Sequence, residues 1–318
     1  MPDKLNKPVI FVAGPTASGK SELALMLAER FDGVVINADS MQVYKEMRVL
    51  TARPDDAEEA RAPHRLYGVL SVSDSCSAGR WVELAKAEIE VAIAAGKVPI
   101  LVGGTGLYFE ALIDGIAPTP EIPAKVRNLV RAKMEELGAV EFHRLLAAKD
   151  PAMAEKLHSN DRQRLMRAME VIEATGLSLA KWQHQQSVGP AFENPWLGLV
   201  VDIPRDELYA RCDKRLDLML EEGALEEVKV LKKKGFDRNL PAMKALGVPD
   251  FMAYLDGDMA LDEALLKAKT GTRRYAKRQL TWLRRKMISW NYVKMKEIKR
   301  NQEKFFSFIS HFLLTGES

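Results

Sequence analysis

Residues 14–21 read Gly14-Pro15-Thr16-Ala17-Ser18-Gly19-Lys20-Ser21, a complete G-x-x-x-x-G-K-[ST] pattern. Such a loop curls so that several backbone N–H groups converge on one anion, and a helix starting at its end adds partial positive charge. Lys20 supplies a mobile cation, and the Ser21 hydroxyl is of the type that sits on a magnesium ion. All eight residues are therefore candidate ligands of a di- or triphosphate, with Mg2+ as the expected cofactor. Two more positions could do chemistry. Asp39, in Asn37-Ala38-Asp39-Ser40, is a general base, a metal holder or a turn cap. Thr105, in Gly103-Gly104-Thr105-Gly106, is either a donor to an anion or a structural turn residue. Arg211 and Arg215 are four apart and share a helix face. Either one of them, Arg211 by preference, reaches the phosphates, or both are solvated. A phosphate-hydrolysing motor places Asp at the end of a buried strand, often followed by Glu. Here Asp39 and Asp202 follow apolar runs, but neither is followed by Glu, which argues against a motor.

The elements that must position these groups can be read from apolar runs and breakers. Val9–Ala13 reads as a strand feeding the loop, and Glu22–Glu29 as the helix leaving it. Val34–Ile36 and Val98–Val102 read as further strands, separated by a helix over about 80–95. Loops at the C-terminal ends of parallel strands share one crevice, so residues 16–21, 39–42 and 103–106 are expected to face each other. Residues 118–123, Pro-Thr-Pro-Glu-Ile-Pro, interrupt this alternation. From 124 to 186 the composition is helical, with Asp161 expected to cap a helix that runs to Gly176. A strand resumes at Leu197–Val201, and the chain then turns helical through 206–234 and beyond. The expected fold class is α/β, with a P-loop NTPase-like open parallel sheet built from 1–117 and 198–318. An all-helical inserted subdomain occupies 118–197, and the C-terminal region is helical and basic. Phe305, Phe306, Phe308, Ile309 and Phe312 mark a terminal helix packed on the core.

The bulk numbers add partners and compartment. At 318 residues, 47% hydrophobic and 29% charged, the chain suits a two-domain globular protein. No apolar run approaches the length of a membrane span, and no signal-like segment precedes the first strand. The two cysteines, Cys76 and Cys212, have no metal-like spacing and read as reduced thiols of a cytoplasmic protein. Net charge is only +3, yet residues 267–300 hold 13 Lys/Arg against one acid, Glu297. The remainder is net acidic, with 34 basic and 43 acidic residues. Such asymmetry points to a polyanionic partner. Within the tract, Arg273, Arg274, Lys277, Arg278, Arg284, Arg285 and Lys286 interleave with Tyr275 and Trp282. A stripe of this kind can track phosphates while aromatics stack on bases; its plainer alternative is a solvated basic face. In the insert, Gln163, Arg164 and Arg167 lie on adjacent helical turns.

Seven blocks, in order and spacing, resemble the tRNA dimethylallyltransferase family. They are Gly14–Ser21, Asn37–Tyr44, Thr51–Pro54, Pro63–Leu66, Leu101–Tyr108, Asn160–Arg164 and Ala276–Arg284, covering about residues 8–290. Arg53 stands where many members have Lys, and Lys244–Pro249 lacks the Gly-Tyr common there. The resemblance implies transfer of a dimethylallyl group from dimethylallyl diphosphate to N6 of the adenine 3′-adjacent to the anticodon. It implies that the loop holds a diphosphate that leaves, that Asp39 accepts the N6 proton, and that Thr105, Lys20 and Arg211 serve the departing diphosphate. It further implies tRNA contacts at Asp39, Ser40, Met41, Gln42, Thr105, Arg127, Gln163, Arg164, Leu165, Met166, Arg167, Arg274, Lys277, Arg278, Gln279 and Trp282. The expected partner is a tRNA anticodon stem-loop, gripped between insert and basic region by a monomer. A small-molecule or nucleotide kinase is the alternative.

Overall fold

The computed structural model describes residues 7–115, 120–184 and 193–316. The chain divides into two compact units, Leu112–Ala191 and the rest; the sequence expectation put these boundaries at 118 and 197. In the larger unit six strands form one parallel sheet: β1 (Val9–Ala13), β2 (Gly33–Asn37), β3 (His64–Arg65), β4 (Val98–Gly103), β5 (Trp196–Val201) and β6 (Asn291–Val293). Their order is β3-β2-β4-β1-β5-β6. The central β1 pairs Phe11 with Leu101 of β4 and with Gly198 of β5. Its five residues are all buried, as expected for a strand covered on both faces.

Helices α1 (Lys20–Phe31), α2 (Asp56–Arg61) and α3 (Ala78–Ala94) connect the first four strands, and α4 (Gly106–Ile113) follows β4. After β5 come α9 (Arg205–Glu221), α10 (Ala224–Lys234), α11 (Val248–Asp256) and α12 (Leu261–Lys286), and after β6 come α13 (Met295–Arg300) and α14 (Gln302–Thr315). The last buries Phe306, Ile309 and Phe312 in the core that also holds Leu23, Leu25 and Leu27 of α1. Phe11, Phe109, Trp196 and Trp290 form an aromatic cluster with centroids under 6 Å apart. Gly198 makes this cluster fit, since a Cβ there would lie 2.3 Å from the Trp290 ring.

The smaller unit is helical: α5 (Ala124–Lys149), α6 (Pro151–Lys156), α7 (Arg162–Thr175) and α8 (Leu179–His184). Val130, Met134, Phe142, Leu146, Leu165 and Met169 centre its core. Gly138, at φ 71°, breaks α5 into two segments. Asp161 caps α7 by accepting from Arg164 N, and Gly176 ends it in the left-handed conformation. The two-residue β3 and the three-residue β6 were not expected. Both are edge strands too short and too polar to show a periodic pattern.

Candidate active site

The anion loop runs from the end of β1 into α1. Ala17 and Gly19 adopt positive φ, 61° and 96°, which curls the backbone back on itself. Gly19 is the N-cap of α1, and no side chain caps that terminus. The first-turn N–H groups are thus left for an anion, which the helix dipole also favours. Ser18 is 1% exposed, and its Oγ has no hydrogen-bond partner among the described residues. An unpaired buried hydroxyl is costly unless a ligand satisfies it. Gly14 is packed so closely that a Cβ would sit 2.6 Å from that Oγ.

Three cations surround the loop. Lys20 Nζ lies 3.5 Å from Pro15 O. Burial pulls its pKa down to about 8, against an upward pull from Asp39 and a further downward push from Arg215. From α9, Arg211 Nη1 reaches Ser18 O at 3.4 Å while Nη2 donates to Glu207 at 2.7 Å. One turn on, Arg215 Nη1 lies 3.4 Å from Thr16 Oγ1. Arg211 and Arg215 thus both face the loop. On its opposite side α9 carries Asp213 and Asp217, which pair with Arg273 and Lys269 of α12.

The carboxylate loop follows β2. Asn37 is fully buried: its Nδ2 donates to Asp39 O and Leu66 O, its Oδ1 accepts from Asp39 N, and its carbonyl accepts from Trp81 Nε1. This network fixes the turn that presents Asp39. Asp39 Oδ1 accepts from Met41 N at 2.9 Å; Oδ2 accepts no hydrogen bond from the described residues. The phenols of Tyr67 and Tyr275 are pushed well up, by burial first and by the nearby Asp39 charge second. Asp39 thus has Lys20 of the anion loop and the phenols of Tyr67, Tyr108 and Tyr275 within electrostatic reach.

The third loop ties the first two together. Thr105 Oγ1 accepts from Ser40 N at 2.9 Å and donates to Ser40 Oγ at 3.3 Å. Its hydroxyl is thus occupied by the Asp39 loop, a contact that the sequence reading had not anticipated. Each glycine around it permits a close approach. A Cβ on Gly103 would meet Ala38 O at 2.0 Å, one on Gly104 would meet Gln279 Nε2 at 2.2 Å, and one on Gly106 would meet the Trp282 ring at 2.1 Å.

A cleft of about 660 Å³ opens beside the anion loop. Lys20, Arg48, Arg53, Arg211 and Arg215 make one part of its lining basic, while Val49, Leu218 and Met219 add apolar surface. No group of three or more His, Cys, Asp or Glu among the described residues could hold a metal ion by itself. A hard dication carried in by a diphosphate needs no such cluster, because phosphate oxygens and water complete its shell. The exposed Ser21 hydroxyl, at the first turn of α1, suits that role.

The model of the IPP transferase family matches residues 42–286. That is well over half of the chain. The chain belongs to the IPP transferase family. It is 53% identical over 283 residues to the tRNA dimethylallyltransferase of Rhodospirillum centenum, covering 89% of this chain and 90% of that one. With its counterpart from Parvibaculum lavamentivorans the identity is 49% over 314 residues, covering 98% and 99%. Among solved structures, the tRNA isopentenylpyrophosphate transferase of Bacillus halodurans superposes with a TM-score of 0.69 at 34% identity, covering 98% of both chains. A eukaryotic dimethylallyltransferase acting on tRNA gives 0.79 at 28% identity, covering 98% of this chain and 81% of that one.

The remaining residues expected to meet RNA in this IPP transferase family member fall into two groups. Arg274, Lys277 and Arg278 are exposed on α12, with no ion pair among the described residues, and Arg278 lies over the Tyr275 ring. Arg127, Gln163 and Arg164 are exposed in the smaller unit, and Arg167 is half-buried beside Glu170. Leu165 is fully buried in the helical core, and Met166 packs against the same core. Gln279 is likewise not a surface group, being 6% exposed. Gln42 donates to Thr51 O and Ala52 O, holding the wall of the cleft. Arg273 is paired with Asp213, and Arg284, Lys286, Lys267 and Lys269 also have acidic partners, so the tract offers fewer unpaired cations than its count suggested.

Sequence reasoning missed Glu227 of α10, whose carboxylate accepts from the N–H groups of Arg48, Val49 and Leu50 at 2.6, 2.8 and 3.1 Å. It also missed Arg48 and Tyr67 in the cleft wall. Nothing local in the sequence joins Glu227 to a segment 177 residues away.

Proposed function

We propose that the chain transfers a dimethylallyl group from dimethylallyl diphosphate to N6 of the adenine 3′-adjacent to the anticodon of tRNA. The observation that carries the reading is one juxtaposition. An uncapped, trebly cationic anion loop stands next to a carboxylate with an oxygen left unbonded. The first suits a leaving diphosphate and the second an acceptor that must lose a proton. In the reaction the C–O bond to the diphosphate breaks and the N6–C bond forms. The diphosphate departs with the electron pair, and the N6 proton passes to Asp39 Oδ2. Lys20, Arg211, Arg215 and the loop N–H groups stabilise charge as it grows on the diphosphate, the usual largest contribution in such chemistry. A magnesium ion held by Ser21 would add Lewis-acid stabilisation of the same oxygens. Val49, Leu218 and Met219 offer apolar surface to the five-carbon group. Thr105 keeps the Asp39 loop in register through Ser40.

The RNA reading rests on Arg274, Lys277 and Arg278, which no acid neutralises among the described residues. Reaching a single loop base requires turning it out of its stack, and Tyr275, whose phenol feels the Asp39 charge, is an aromatic suited to stacking on it. The test is incubation with labelled dimethylallyl diphosphate and either tRNA or AMP. Label should enter tRNA and not AMP; efficient phosphoryl transfer from ATP with no transfer of the prenyl label would refute the proposal.

A further inference from the structure

Gln279 is a polar residue on the buried face of α12, in line with Thr272, Ala276 and Leu283. Its Oε1 accepts from Thr16 N of the anion loop at 2.8 Å, and its Nε2 donates to Gly104 O at 2.9 Å. Both ends of one amide are thus used, each on a different catalytic loop. The fit leaves no slack, because Gly104 admits the amide only by lacking a Cβ. Three residues on, the Trp282 ring lies on Gly106, so α12 touches the Gly103–Gly106 turn twice.

The geometry points to Gln279 as a positioning residue that sets the spacing between the anion loop and the Thr105 turn, an inference resting on the transfer reaction proposed above. Thr105 in turn holds Ser40 and, through it, the Asp39 turn. The separation between leaving diphosphate and proton acceptor therefore depends on one buried amide. Misplacement of reacting groups by about 1 Å can cost roughly 10²-fold in rate. RNA meets only the outer face of the helix in this account, so Gln279 acts on the chemistry without touching RNA. Charged and titratable groups around the two loops include Lys20, Asp39, Glu207, Arg211, Cys212, Arg215, Tyr67 and Tyr275.

Two full-length variants test this alongside wild type. Gln279→Met keeps the stem but removes both hydrogen bonds. Gln279→Glu keeps the acceptor for Thr16 N, but when ionised it sets an oxygen against Gly104 O; when protonated it restores a donor there. Single-turnover transfer at saturating tRNA and dimethylallyl diphosphate should fall about 10- to 100-fold in Gln279→Met. Its affinity for tRNA and the salt dependence of binding should stay within about twofold of wild type. For Gln279→Glu, the rate relative to wild type at the same pH should climb as pH falls from 8 to 5.5, a signature that loss of stability alone would not produce. A flat ratio across that range would overturn the inference. So would weakened tRNA binding with an unchanged single-turnover rate in Gln279→Met. Failure of wild type itself to transfer the group would refute the reaction instead, which separates the two outcomes.

Discussion

Asp39→Asn isolates the proton-accepting role from the shape of the turn. Asparagine keeps an Oδ1 that can accept from Met41 N, the one bond Asp39's side chain makes within the turn. The Asn37 network that holds the backbone is untouched. What changes is the second oxygen, which becomes a donor and can no longer take a proton. Loss of a positioned general base lowers the chemical step by about 10²–10⁴-fold, or roughly 3–5 kcal/mol of barrier. A side effect is calculable in sign. Asp39 raises the proton affinity of Lys20, whose pKa is about 8; without it Lys20 loses its proton at lower pH. Working at pH 6.5 keeps Lys20 charged in the variant. The assay is single-turnover transfer at pH 6.5 with both substrates saturating, repeated over a Mg2+ titration. A slow step unaffected by added Mg2+ supports the base. Rescue by Mg2+ would make Asp39 a metal holder, and a wild-type rate would refute the mechanism at its centre.

Lys20 should make diphosphate binding pH-dependent. Its charged form binds, so its loss of a proton should cut affinity for inorganic diphosphate in calorimetry as pH rises past about 8, by up to about tenfold per unit, and this contribution, read as the difference between the two proteins, should be missing in Lys20→Met. Arg274→Ala and Arg278→Ala should each weaken tRNA binding and flatten its dependence on log salt by about one unit or less. Arg273→Ala should instead lower unfolding stability by about 1 kcal/mol, because its half-exposed guanidinium is paired with Asp213, and leave the salt slope nearly unchanged. Glu227→Ala strips the acceptor from three successive N–H groups of the cleft wall. Denaturant titration should show a loss of about 2 kcal/mol, accompanied by a raised KM for dimethylallyl diphosphate.

What could be read in the sequence was local. The anion loop, the four apolar strands and the α7 boundaries at Asp161 and Gly176 each carry their signal within a few residues, and those features form where expected. Edge strands β3 and β6 do not, because runs of two or three residues become strands only when a neighbour supplies the hydrogen bonds. Charge counting overstated the free cations of α12, since Asp213 and Asp217 lie some fifty residues upstream and meet the tract only after α9 and α12 pack. Leu165 and Gln279 show the same limit from the other side. Motif blocks gather residues by sequence position, whereas a helix turns adjacent positions to opposite faces. Leu165 faces the core while Arg164 faces solvent. Gln279 does hold a readable cue, a lone amide on an otherwise apolar helical stripe, but its partners Thr16 and Gly104 lie 263 and 175 residues away.

The central claim is that the anion loop and the Asp39 turn together join diphosphate departure to alkylation of an RNA adenine. Its most direct measurement is mass spectrometry of nucleosides from tRNA incubated with the protein and dimethylallyl diphosphate, with released diphosphate assayed in parallel. One new nucleoside is expected, adenosine carrying the five-carbon group on N6 and mapping just 3′ of the anticodon, in equal amount to the diphosphate released. Diphosphate release with unmodified tRNA, or modification at any other base, would contradict it.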